Sequence, residues 1–97
     1  MKIVAVTACP TGIAHTYMAA EQLEKTAKKL GHVIKVETQG AMGIENKLTE
    51  ADITGAGLVI LAVDIAIEEA ERFERIRKIK VPVQAALKNP EAIFAQI

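Results

Sequence analysis

A chain of 97 residues has room for one domain, and with 51% hydrophobic residues it can build a core. Aromatics are only 3%, so that core must be packed from Ile, Val, Leu and Ala, as in a small α/β sheet covered by helices. Lysine plus arginine and aspartate plus glutamate number 12 each, and zero net charge removes the bulk attraction typical of binders of nucleic acid or anionic membranes.

The opening Met1 to Val6 is too short for a signal-peptide core. Ile3 to Ala8 is apolar apart from Thr7, which suits a strand buried on both faces. A turn at Cys9-Pro10-Thr11-Gly12 follows, and then a helical pattern runs to Leu30. Thr16, Ala19, Ala20, Leu23, Ala27 and Leu30 share one of its faces, and Glu21, Glu24, Lys25, Lys28 and Lys29 the other. Gly31 stands where a helix stops in a left-handed conformation. His32 to Thr38 reads as a second strand, with Ile34, Val36 and Thr38 alternating with Lys35 and Glu37 on a wet side.

Gln39 to Gly43 reads as a glycine-containing loop. Thr49 can cap a short helix through Ile53, with Asp52 as its capping-box partner. Leu58 to Val63 is a second uninterrupted apolar strand, ended by Asp64. A charged helix is predicted over Ile67 to Phe73, and Arg77 to Val81 alternates as a fourth strand closed by Pro82. The tail Ala85 to Ile97 reads as helix interrupted near Asn89-Pro90. No run approaches the roughly 18 apolar residues of a membrane span.

The two apolar strands belong at the centre and the two alternating ones at the edges. With right-handed crossovers this gives a small doubly wound, four-stranded parallel sheet, order 2-1-3-4, with helices on both faces. Ligands bind such sheets outside the carboxyl ends of the strands, where the connections diverge, here between strands one and three. Cys9 lies just past the carboxyl end of strand one.

In Cys9-Pro10-Thr11-Gly12-Ile13-Ala14-His15-Thr16, backbone N–H groups from Thr11 onward can surround an anion at the helix N-terminus. The hydroxyls of Thr11 and Thr16 add donors. The same setting favours a thiolate and would hold the phosphate of a phosphocysteine. A lone cysteine is most often a small buried hydrophobe. The place of Cys9, at the end of a central strand and inside an anion loop, favours a nucleophile. His15 either contacts the anion or is merely exposed. His32 is expected to be solvated, and Tyr17 and Met18 to serve packing. Asp64, at the rim of the same face, is expected to cap a helix. One cysteine makes neither an internal disulfide nor a multi-cysteine metal site, so no metal and no cofactor are expected, and a reducing, cytoplasmic setting is.

The segment Val6 to Glu21, together with Val36-Glu37-Thr38-Gln39-Gly40, Leu48 to Ile53, Glu71-Arg72-Phe73 and Ala86 to Pro90, resembles the IIB domain of fructose-type permeases of the bacterial sugar phosphotransferase system. The resemblance covers nearly the whole chain and implies a single IIB domain over residues 1–97, acting as a monomeric phosphotransferase component. It implies that Cys9 accepts a phosphoryl group from a phosphohistidine on a IIA domain, and delivers it to sugar in the membrane-embedded IIC domain. Thr11, Gly12, Ile13, Ala14, His15 and Thr16 would then bind the phosphate, and Gln39, Gly40 and Asp64 would rim the docking surface. The sugar would be fructose, a fructose-like sugar or a related mannosyl compound. Two departures stand out: Ala41, where a small polar residue is more usual, and the basic run 74–80. Two rivals remain at this point. Low-molecular-weight tyrosine phosphatases use a cysteine, five residues and an arginine, but here the spacing ends at His15. Flavodoxin-like phosphate or FMN binding modules use a similar turn, yet this chain has no Trp.

Overall fold

The computed structural model describes residues 1–10, 13–40 and 43–97. The strands are β1 (Lys2–Ala8), β2 (Val33–Gly40), β3 (Gly43–Glu45), β4 (Leu58–Val63) and β5 (Lys78–Val81). The helices are α1 (Ile13–Lys29), α2 (Glu50–Thr54), α3 (Val83–Lys88) and α4 (Pro90–Phe94), with a 3-10 turn at Ala70–Phe73. The sheet order is β3-β2-β1-β4-β5, parallel throughout except for β3.

The four parallel strands therefore take the order 2-1-3-4 expected from their apolar and alternating patterns. The expected count of four strands is corrected to five, because β3 pairs antiparallel with β2 through Thr38↔Glu45, Gln39↔Ile44 and Gly40↔Gly43. Gln39 and Gly40, expected in a loop, end β2 instead. With β3 beside it, β2 is no edge strand.

Each face of the sheet buries one apolar set. Ile3 and Ala5 of β1, and Cys9 just after it, pack with Ala19, Leu23 and Ala27 of α1, and with Val83, Ala86, Ile93 and Phe94 of α3 and α4. Val4, Val6 and Ala8 pack on the other face with Leu48, Val59, Leu61 and Phe73. The connection from β1 to β2 runs through α1 on the first face. The connections onward to β4 and β5 run in the opposite direction across the sheet and use the second face. One hand of crossover requires that swap.

The ends of α1 and α2 follow local chemistry. At the end of α1, Gly31 has φ +81. Its N–H donates to Lys28 C=O at 3.2 Å, and His32 N–H to Ala27 C=O at 2.8 Å, a Schellman closure. At α2 the capping box forms: the Thr49 hydroxyl accepts from Asp52 N–H at 3.1 Å and the Asp52 carboxylate from Thr49 N–H at 2.8 Å. The charged helix expected over Ile67 to Phe73 is only the 3-10 turn. Glu69 sits in the left-handed region at φ 57 and stops any regular helix from starting earlier. His32 is half-buried rather than solvated, its ring stacked on Phe94 with centroids 5.8 Å apart.

Candidate functional site

Parallel strands deliver their carboxyl ends to one edge of the sheet. There Ala8 stands level with Gln39 of β2 and Val63 of β4. Cys9 follows directly, a buried thiol only 7% exposed. The end of β1 is tied down on both sides. The Thr7 hydroxyl, fully buried, donates to Thr16 C=O at 3.0 Å and anchors the strand to the first turns of α1. On the β4 side, Asp64 N–H donates to Ala8 C=O at 3.0 Å.

Thr11 and Gly12 lie outside the described residues, as does Ala41. Ile13 opens α1, Ala14 and His15 are exposed on its first turn, and Thr16 is buried. No acidic residue occupies that turn, so the positive end of the helix dipole is not offset by a side chain of its own. Tyr17 and Met18 are exposed rather than packed, at 39% and 52%. The Tyr17 hydroxyl donates to the Glu45 carboxylate of β3, and that hydrogen bond, with some burial, holds the phenol above its usual pKa.

The three residues expected at the rim differ in role. Gly40 is exposed at the end of β2. Asp64 is exposed and its carboxylate accepts from Val83 N–H at 3.1 Å, so it caps α3, a helix one strand further on than the next helical turn. Gln39 is buried, and its carboxamide is engaged with Glu68 and Glu37.

Behind Gln39 lies a cluster that periodicity concealed. Glu37, expected on the wet side of its strand, has no exposed surface. Arg72 grips both carboxylate oxygens at 2.9 and 3.0 Å, and Leu48 N–H and Gln39 Nε2 donate at 2.9 and 2.8 Å. Burial pushes this carboxyl up, but the bonds from Arg72, Gln39 and Leu48 outweigh it and hold it below the usual range. Asn46, at φ 53, donates to Val36 C=O at 2.9 Å and fixes the strand's other partner. The Arg72 guanidinium also lies over the Phe73 ring, 4.8 Å from its centroid. A buried carboxylate alternating with apolar residues looks like a wet face. Only the arginine 35 positions later distinguishes the two.

An open groove of about 720 Å³ lies between α2 and the segment 71–77, at the amino ends of the strands and thus away from Cys9. Among the described residues, no group of three or more His, Cys, Asp or Glu is placed to hold a metal ion. No helix among them is long and apolar enough to cross a membrane.

A family described as "PTS system, Lactose/Cellobiose specific IIB subunit" matches residues 4–96. The chain is 52% identical over 96 residues to the PTS system fructose-like EIIB component 2 of Escherichia coli strain K12, covering 99% of this chain and 91% of that protein. It is also 52% identical over 93 residues to the fructose-specific EIIABC component of Bacillus subtilis, covering 96% of this chain but 14% of that longer relative. A crystal structure of a domain from the fructose-specific IIABC component of Borrelia burgdorferi superposes with a TM-score of 0.92 at 56% identity, over 97% of this chain and 89% of that one. With relatives above half identity along nearly its whole length, the chain belongs to the IIB family of the sugar phosphotransferase system (PTS), among components with fructose-like names.

Proposed function

We propose that this chain carries phosphoryl groups in a sugar-uptake system, accepting them on Cys9 from a phosphohistidine of a IIA domain and passing them to fructose or a fructose-like sugar held in a membrane IIC domain. One observation carries this reading: the chain's single cysteine stands just past the carboxyl end of central strand β1, with three residues between it and an α1 whose first turn has no acidic side chain. The relatives named as fused EIIABC and EIIBC components support IIA and IIC as the partners.

In the first step the Cys9 sulfur attacks phosphorus in line. An S–P bond forms, the N–P bond of the donor breaks, and the leaving imidazole takes up the proton that the thiol gave up. The segment Thr11 to Thr16 would stabilise the equatorial oxygens with backbone amides and hydroxyls. In the second step a sugar hydroxyl attacks phosphorus, the S–P bond breaks, and the hydroxyl proton returns to sulfur. A carrier must also avoid losing its phosphoryl group to water, so the loop should present no acid to the sulfur.

The test is intact mass after incubation with phosphorylated IIA domain, with Cys9→Ser in parallel. A phosphoryl adduct that survives alkali, is cleaved by iodine and is absent from the variant supports the reading. A folded wild-type protein that takes up no phosphoryl group from a competent donor, or a variant labelled as fast as wild type, overturns it.

A further inference from the structure

The carboxamide of Gln39 uses both of its ends. Its Oε1 accepts from Glu68 N–H at 2.8 Å, and its Nε2 donates to Glu68 C=O at 3.1 Å. These two bonds make a closed reciprocal pair, of the kind one strand offers another, built here by a side chain. The same Nε2 donates to Glu37 Oε2 at 2.8 Å. Because Arg72 keeps Glu37 ionised, that carboxylate can only accept, and the nitrogen end of Gln39 must face it.

The topology gives this pair its meaning. Val63 and Gln39 flank Ala8 from opposite sides, because β1 lies between β4 and β2. A segment that leaves β4 at Val63 and is pinned to β2 at Glu68 has to pass the carboxyl end of β1, one residue from Cys9. Both ends of that segment are held. Asp64 bonds Ala8 C=O through its N–H and Val83 N–H through its carboxylate. Beyond Glu68, Arg72 Nε donates to Glu69 C=O at 2.8 Å, and Lys47 pairs with the Glu69 carboxylate at 2.9 Å. Glu69 persists in its left-handed conformation because these contacts over-determine it.

We propose that Gln39 is a positioning residue for phosphoryl transfer at Cys9: by pinning Glu68 it holds the segment 64–68 as a fixed wall of the thiol site. This rests on the carrier reading above. A wall held at both ends by hydrogen bonds keeps donor and sulfur in register, and loosening it costs rate at the reacting atoms rather than affinity for the partner.

The experiment compares wild type, Gln39→Met and Gln39→Asn for phosphoryl transfer from phosphorylated IIA domain, and for amide hydrogen exchange over residues 65–68. Gln39→Met keeps the bulk and loses both bonds to Glu68. Gln39→Asn stays neutral beside Glu37 but is one methylene shorter and draws the carboxamide away from Glu68, and it serves as the test if the methionine variant does not fold. The expected result is transfer slowed on the order of tenfold at saturating donor, KM for the donor within about twofold, and faster exchange at Glu68. Wild-type transfer in either folded variant overturns the proposal. So does slowed transfer with exchange at 65–68 unchanged, which would make Gln39 a core strut and nothing more. If wild type itself takes no phosphoryl group on Cys9, the carrier reading fails and this proposal with it, whereas a failure confined to the Gln39 variants leaves the carrier reading standing.

Discussion

Glu37 is a carboxylate with no exposed surface, and its four hydrogen bonds decide what the residues around it can do. Removing its partner would leave a buried charge unpaired, which costs far more than the pair itself contributes. Arg72→Leu is therefore expected to lower stability by about 3–5 kcal/mol at neutral pH. Urea unfolding checks this. The double variant Glu37→Leu with Arg72→Leu should lose less than the sum of the single variants, because it buries no lone charge. Equal and additive losses would show the pair to be uncoupled. At this scale the sequence revealed the nucleophile and missed its supports. Cys9 was legible because a cysteine before a threonine-glycine turn, after an apolar strand, has few structural explanations. Glu37 and Gln39 were not, because a strand's alternation reports which face a residue takes and not whether an arginine waits there.

Elements with long, regular patterns were readable, and those that depend on one tertiary contact were not. Strands β1 and β4 announce themselves as apolar runs, and α1 shows 17 residues of helical spacing closed by a glycine. Strand β3 has three residues, Gly43-Ile44-Glu45, too few to display a period, and it exists because β2 offers it an open edge. The segment after β4 carries a helical charge pattern, yet the backbone N–H and C=O of Glu68 are committed to Gln39 and not to a helix. The closure of α1 supplies a prediction at this scale. Gly31 has open space where a Cβ would sit, so only its φ of +81 resists substitution. Gly31→Ala should cost about 1 kcal/mol by thermal or urea unfolding, with phosphoryl transfer unchanged, since Gly31 lies at the opposite end of α1 from Cys9. An effect on transfer per folded molecule would mean that the end of α1 reaches the site by a route the packing does not suggest.

Across the whole molecule, the sheet separates two tasks. One face packs α1 in the same apolar cluster as Cys9, and the other carries the polar cluster of Glu37 and Arg72. That second face also sets the response to acid. Glu37 and Asp52 are both held below the usual carboxylate range. In Glu37, hydrogen bonds led by Arg72 overcome the effect of burial. In Asp52 the leading cause is the Lys35 ammonium at 2.8 Å, followed by the Thr49 cap. A carboxyl whose folded pKa is depressed contributes stability above its unfolded pKa, about 4 for both residues, and that contribution is lost as pH falls through the folded value. The urea midpoint of the wild-type protein should thus hold between about pH 5 and 7 and fall below about pH 4. In Arg72→Leu the sign for Glu37 changes. Without the guanidinium its folded pKa rises, so protonation relieves the buried charge and the variant recovers part of its loss as pH falls. The gap between wild type and variant is expected to narrow steadily from pH 7 to pH 3. A gap that stays constant over that range would mean that Arg72 stabilises the fold through its packing on Phe73 and its bonds to backbone carbonyls, and that Glu37 contributes no charge to the clamp.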